Sequence, residues 1–260
     1  EALYAQGWKL EQLADGARLS GNLRVAGGPA SSDVALSQVV RVADQKGVVE
    51  LWLRGNLHSS LFDLQGLKKL KRLSLGGWEI QRNDVEEISR LPNLEALQLC
   101  DFGADALAPL QNSRRLTYLA LNSAPSGSFR SLSKIPQLRW LGFYCEGRDR
   151  DRMAQQLDDV AQCQQLEILT LFRNGPTSDQ LKPLQHATKL RMLALDFDGG
   201  PDVYDALAGI RTLRVLGLWS ELDGIFPPKQ IHAPLHERRP DIQFLHRWED
   251  LPRNPIQELP

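Results

Sequence analysis

The segment Leu-x-x-Leu-x-Leu recurs along this 260-residue chain and restricts its architecture more than any other feature. It stands clearly in Leu70-Lys-Arg-Leu73-Ser-Leu75, Leu94-Glu-Ala-Leu97-Gln-Leu99 and Leu116-Thr-Tyr-Leu119-Ala-Leu121. The series continues from Leu138, Leu166, Leu190 and Leu213, and Val48-Val-Glu-Leu51-Trp-Leu53 opens it with a valine. The starts at 48, 70, 94, 116, 138, 166, 190 and 213 are 22, 24, 22, 22, 28, 24 and 23 residues apart. A single unit of this length cannot cover its own leucines, so successive units must stack and bury them between neighbours. The 45 leucines, about 17% of the chain and far above average usage, serve that stacking.

On these segments the chain resembles the leucine-rich repeat family, whose units run 20–29 residues. The resemblance covers roughly residues 48–222, is nearest to the short 22-residue class, and looks bacterial in its irregularity. It implies an α/β fold: a right-handed solenoid, or horseshoe, with a parallel sheet on the concave face and short helices or 3-10 turns on the convex face. Apolar residues three or four apart in Asp84–Leu91 and Val203–Ile210 fit such returns. The family's asparagine after the strand is matched only by Asn174; Trp78, Phe102, Ala124, Glu146, Asp198 and Glu221 stand at the equivalent positions. Backbone groups at those turns must find other partners, since a buried unpaired group costs about 1–3 kcal/mol.

Both ends need covers, within one continuous domain. Residues 1–47 are expected to form an N-terminal cap. It comprises a helix through Trp8, Leu10 and Leu13, an irregular strand at Asn22-Leu23-Arg24-Val25, and a helix over Ser31–Ala43 with Ser32 or Asp33 as N-cap and Gly47 as stop. Residues 223–260 are expected to close the other end with Ile242, Phe244, Leu245 and Trp248, a strand over Asp241–Phe244, and an irregular proline-punctuated tail.

If the strand leucines point inward, the alternating residues line the concave face in columns. The first column is Glu50, Arg72, Ala96, Tyr118, Trp140, Ile168, Met192 and Val215. The middle one is Trp52, Ser74, Gln98, Ala120, Gly142, Thr170, Ala194 and Gly217, and the third is Arg54, Gly76, Cys100, Asn122, Tyr144, Phe172, Asp196 and Trp219. From Ala120 onward the middle column is small while rings rise on both sides, which reads as a shallow groove centred on Trp140 and Tyr144. Tyrosine and tryptophan are frequent binding anchors; against this, parallel strands favour aromatic and branched residues in any case. The candidate partner-binding residues are Trp52, Arg54, Arg72, Tyr118, Trp140, Tyr144, Phe172, Asp196 and Trp219.

The remaining features narrow the function class. With 31 Lys+Arg against 32 Asp+Glu there is no basic excess calling for nucleic acid and no acidic tail. No apolar run reaches membrane-span length. The start at Glu1 shows no leader, so a targeting peptide is expected to be absent or removed, and the missing Met suggests, as an alternative function, a structural module inside a larger chain. Cys100 and Cys145 lie two repeats apart, too far for a disulfide, and three free thiols point to a cytoplasmic, reducing setting. Glu146–Arg152 reads as a solvated loop or helix start, alternatively as a projecting loop at the groove. His232 and His236 are spaced like helical zinc ligands, but Pro234 separates them and no third ligand is evident. The aspartates from Asp196 to Asp202 lack the spacing of a calcium loop. No nucleophile elbow, phosphate loop or dinucleotide fingerprint occurs. The expectation is a monomeric, non-catalytic module that binds a protein or peptide and needs no cofactor. An enzyme-blocking inhibitor or immunity-type protein is one alternative. Another is a carbohydrate or small-ligand binder using Asn122, Arg173 and Asp196.

Overall fold

A computed structural model describes residues 8–23, 36–55, 61–77, 79–102, 105–122, 129–144, 150–172, 175–196, 202–219 and 229–245. One sheet of eleven strands runs through the molecule in strict chain order. Its strands are β1 (Lys9–Leu13), β2 (Gly16–Leu23), β3 (Val48–Gly55), β4 (Arg72–Gly76), β5 (Ala96–Leu99) and β6 (Tyr118–Leu121), then β7 (Trp140–Tyr144), β8 (Ile168–Phe172), β9 (Met192–Asp196), β10 (Val215–Trp219) and β11 (Gln243–Leu245). Only the β1–β2 pair is antiparallel. Parallel neighbours need a crossover, and each interval supplies one.

The repeat length decides what that crossover is. The 22-residue intervals return through 3-10 turns at Leu61–Gly66, Ala108–Asn112 and Arg130–Lys134. The longer ones carry α-helix: α2 (Arg82–Ser89), the twelve-residue α3 (Arg150–Ala161) in the 28-residue repeat, α4 (Ser178–Leu181) and α5 (Asp202–Gly209). A 3-10 turn rises about 2.0 Å per residue against 1.5 Å for an α-helix, so it spans the same return with fewer residues. α1 (Leu36–Gln45) precedes β3 and α6 (Lys229–Arg238) precedes β11.

Three leucine ladders form the core. The opening ladder from Val48 to Leu213, the middle one from Leu51 to Leu216 and the last from Leu53 to Leu218 are all at most 2% exposed. Full burial of such a side chain is worth about 1.5–3 kcal/mol. In the last ladder Phe143 replaces leucine, and Phe129 meets it edge-on with ring centroids 5.0 Å apart.

Among the positions that lack the family asparagine only Phe102 is described, and the backbone beside it and in other loops is held by several contacts. Ile80 N–H donates to the Asp101 carbonyl at 2.7 Å, with Asp101 at a φ of 56°. The Phe129 N–H, buried under the rings, donates to Asp159 Oδ2 of α3 at 2.8 Å. At the far end Arg239 donates to the carbonyls of Ala208, Ile210 and Leu213 at 2.8–3.2 Å.

Three local expectations are corrected. No helix passes through Trp8, Leu10 and Leu13: β1 and β2 form a hairpin whose Leu13↔Gly16 pairing leaves a two-residue turn, Ala14-Asp15. The spacing of Leu10 and Leu13 imitates a helix face, but Asp15-Gly16 is a hairpin signal, and Gly16 adopts a φ of 151°. The first strand also begins earlier than expected: β2 runs over Gly16–Leu23 and includes Asn22 and Leu23, while Arg24 and Val25 lie outside the described residues. β2 places Leu19 beside Leu51 and Gly21 beside Leu53, and the buried Trp8 indole fills the space that a side chain at Gly21 would need. Finally, Pro234, which stands between His232 and His236, does not separate them into different elements, for all three lie in α6. α1 ends as expected, with Gly47 at a φ of 63°, while Ser32, Asp33, Asn174 and Trp248 lie outside the described residues. β11 covers Gln243–Leu245, starting two residues and ending one residue beyond the expected closing strand.

Candidate functional site

Strand pairing sets the outer-face columns in register from end to end. Glu50, Arg72, Ala96, Tyr118, Trp140, Ile168, Met192 and Val215 are successive Cα partners, as are Trp52, Ser74, Gln98, Ala120, Gly142, Thr170, Ala194 and Gly217. The leucines between them all face the core. This is the leucine-rich-repeat fold. Within it the candidate residues fall into two groups that behave differently.

The first group, near β3, is engaged within the molecule. Glu50 is 1% exposed yet satisfied: it accepts hydrogen bonds from Trp52 Nε1 at 2.7 Å, Arg72 Nε at 2.7 Å and Arg18 Nε at 2.9 Å. Arg72 also forks onto the two carboxylate oxygens of Asp15 at 2.8 and 3.1 Å, and Lys71 reaches the same carboxylate at 3.3 Å. The hydrogen bond from Arg72 outweighs partial burial and holds the Asp15 carboxyl down to about 2. Reciprocally, Asp15 raises the Arg72 guanidinium above its usual value. The guanidinium of Arg18 lies over the Trp52 ring at 4.6 Å, a cation–π contact. Trp52 and Arg72 therefore serve to clamp the N-terminal hairpin to the sheet. Sequence reasoning missed Arg18 and Asp15 because it placed a helix there; the Asp-Gly pair was the available signal. Arg54, two residues along β3 from Trp52, is exposed.

The second group, on β6 to β9, is aromatic. Tyr118 and Trp140 stack with ring centroids 3.9 Å apart and planes 11° from parallel. With Trp52, Ala96 and Ala120 they form an apolar cluster of their own, separate from the leucine core. The floor of small residues is therefore not open at this point: the Trp140 indole lies so close to Gly142 that a Cβ there would come within 2.3 Å of a ring carbon. The rings lie down on the floor instead of standing as walls, because small neighbours leave room and stacking buries both faces. Farther along, Tyr144 and Phe172 stack at 4.7 Å and 23°. Trp140 and Tyr144, on one strand, keep part of their surface exposed, whereas Tyr118 and Phe172 behind them are 3% and 6% exposed. Asp196 is also buried, next in sequence along the rim, and Trp219 is its Cα partner on β10.

Two polar atoms near the rings have no hydrogen-bond partner, Asn122 Oδ1 and Thr170 Oγ1, although Asn122 Nδ2 donates to Cys100 Sγ at 3.1 Å. Both described cysteines are free thiols whose burial pushes their pKa up, that of Cys163 to about 12. Among the described residues no three His, Cys, Asp or Glu side chains gather as a metal site would require, and no helix is long and apolar enough to cross a membrane. Arg150–Arg152 begin α3, so the charged stretch becomes a helix start there.

No protein-family model and no curated protein matches the sequence. Among solved structures the fold is similar to an internalin C2 of Listeria monocytogenes, at 20% identity over 82% of this chain and 82% of that one, with a TM-score of 0.45. It is similar to an internalin F of the same organism, at 16% identity over 88% and 79%, with a TM-score of 0.41. A leucine-rich-repeat protein of Leptospira interrogans matches at 15% identity over 82% and 62%, with a TM-score of 0.40.

Proposed function

We propose that this chain is a non-catalytic binding module whose partner, a protein or peptide, seats on the concave face of the solenoid against Trp140 and Tyr144. The observation carrying this reading is the pair of part-exposed rings on β7, each backed by a buried stacked ring. The backing holds the anchors in place before contact, so little side-chain entropy is lost on association. Large aromatic anchors at the centre of a contact commonly dominate its energy.

Affinity capture from the native cell tests the reading, with the intact chain and a Trp140→Ala/Tyr144→Ala variant in parallel. The variant is expected to fold, losing about 1–3 kcal/mol from the two stacks beyond the lost area burial, and to lose the captured partner. Undiminished capture by a folded variant overturns it. Glycan-array binding that vanishes in the variant, with no protein captured by the intact chain, replaces the protein partner with a saccharide.

A further inference from the structure

The near-zero net charge conceals a strong segregation of sign. The loops leading into β3 to β11 contain thirteen Lys and Arg against three acids, Glu95, Glu167 and Asp241. Every one of these loops except that before β8 supplies at least one cation. The described residues of the loops leaving the strands hold Glu79, Asp101 and Asp105 and no Lys or Arg. Because the strands are parallel and in register, this places the cations along one rim of the sheet, about 4.8 Å apart per repeat.

On the C-terminal half of that rim lies a depression of about 330 Å³, lined by Glu167, Thr188, Lys189, Arg191, Thr212 and Arg214. Its internal pairing leaves positive charge over. Arg191 pairs with Glu167, which Arg139 also approaches at 3.9 Å, and Arg214 lies 3.3 Å from Asp241. The Lys189 ammonium donates to a neutral group, Gln165 Oε1, at 2.6 Å.

We propose that this basic rim is a second contact surface, one that takes an extended acidic segment of a protein, with carboxylates seated in the depression between Arg191 and Arg214. Same-side carboxylates of an extended segment lie about 7 Å apart, within reach of cations on successive repeats, and guanidinium forks hold carboxylates by paired hydrogen bonds. The loops contain no aromatic residue, so they lack the stacking platforms that single-stranded nucleic acid uses, which favours the peptide. The surface does not depend on the rings of β7.

A decaglutamate peptide is the probe, titrated into the protein at low salt by calorimetry, with amide shifts mapped by NMR. Binding is expected to weaken with salt and to shift amides of residues 187–191 and 210–214. Lys189→Glu/Arg211→Glu should weaken it at least tenfold. Arg82→Glu/Lys182→Glu, an equal charge change on exposed convex positions, should alter it less than twofold, and Trp140→Ala/Tyr144→Ala should leave it unchanged. Equal loss in both charge variants, no binding at all, shifts confined to other residues, or tighter binding of a ten-residue oligothymidylate than of decaglutamate each overturns the proposal.

Discussion

The two ends of one sheet face use the same register for opposite purposes. Around β3 the outer-face positions hold Glu50, Trp52 and Arg72, and all three are joined to each other or to the N-terminal hairpin. Around β7 the positions equivalent to Glu50 and Trp52 hold Trp140 and Gly142, and Tyr144 follows in the next column; the two rings rest on neighbouring rings and keep an exposed side. A column position alone therefore does not mark a binding residue. What matters is what lies against the side chain: the hairpin in the first repeats, and a stacked ring of the array itself at Tyr118 and Phe172.

The largest effect separating the two ends is expected at Glu50. Replacing Glu50 with Ala leaves Arg18 and Arg72 facing each other without the buried carboxylate, and removing one member of such a network costs about 3–5 kcal/mol. Chemical denaturation measures this; a cost below 1 kcal/mol would mean the hairpin clamp contributes little and that the two ends differ less than their contacts indicate.

Gly142→Ala comes next. A methyl group must displace the Trp140 indole from its resting place on the strand, at an overpacking cost of about 1–3 kcal/mol. The Trp140 indole is expected to move into water, with a red-shifted fluorescence emission, and partner capture should fall. Unchanged emission would show that the ring does not rest on the glycine.

The smallest effect is acid dependence at the hairpin. Asp15 has its pKa lowered to about 2 from an ordinary 3.8, so its contribution is full above the unfolded value and is lost as pH falls through about 2. Because the carboxylate is partly exposed, the contribution is below about 1 kcal/mol. Asp15→Asn should lower the melting temperature slightly at pH 6 and make its fall between pH 4 and pH 2 shallower, leaving the β7 rings untouched. An equally steep fall in both proteins would assign the acid sensitivity elsewhere, Asp241 under Arg239 being the other strongly lowered carboxyl.

Much of the fold was legible because the repeat imposes a local rule. Every Leu-x-x-Leu-x-Leu segment had to present its aliphatic side chains to the same core, and the column membership of all eight repeats followed from period-two alternation. The hairpin was not legible in the same way. Leu10 and Leu13 satisfy a helix spacing as well as a strand, and the pairing of β1 with β2, itself seated on β3, selects the strand. At the candidate site the ring positions could be read, but not their posture. That Trp140 lies on Gly142 and against Tyr118 depends on side-chain rotations across two strands.

The repeat period by itself determined stacked units with buried leucines, since a lone unit cannot cover them, and the resemblance to the leucine-rich repeat family supplied the parallel sheet. Which outer-face side chains remain accessible was decided only in three dimensions. Arg72 and Trp52 meet Asp15 and Arg18 across 57 and 34 positions of sequence, and no local pattern records a contact that chain folding alone brings together.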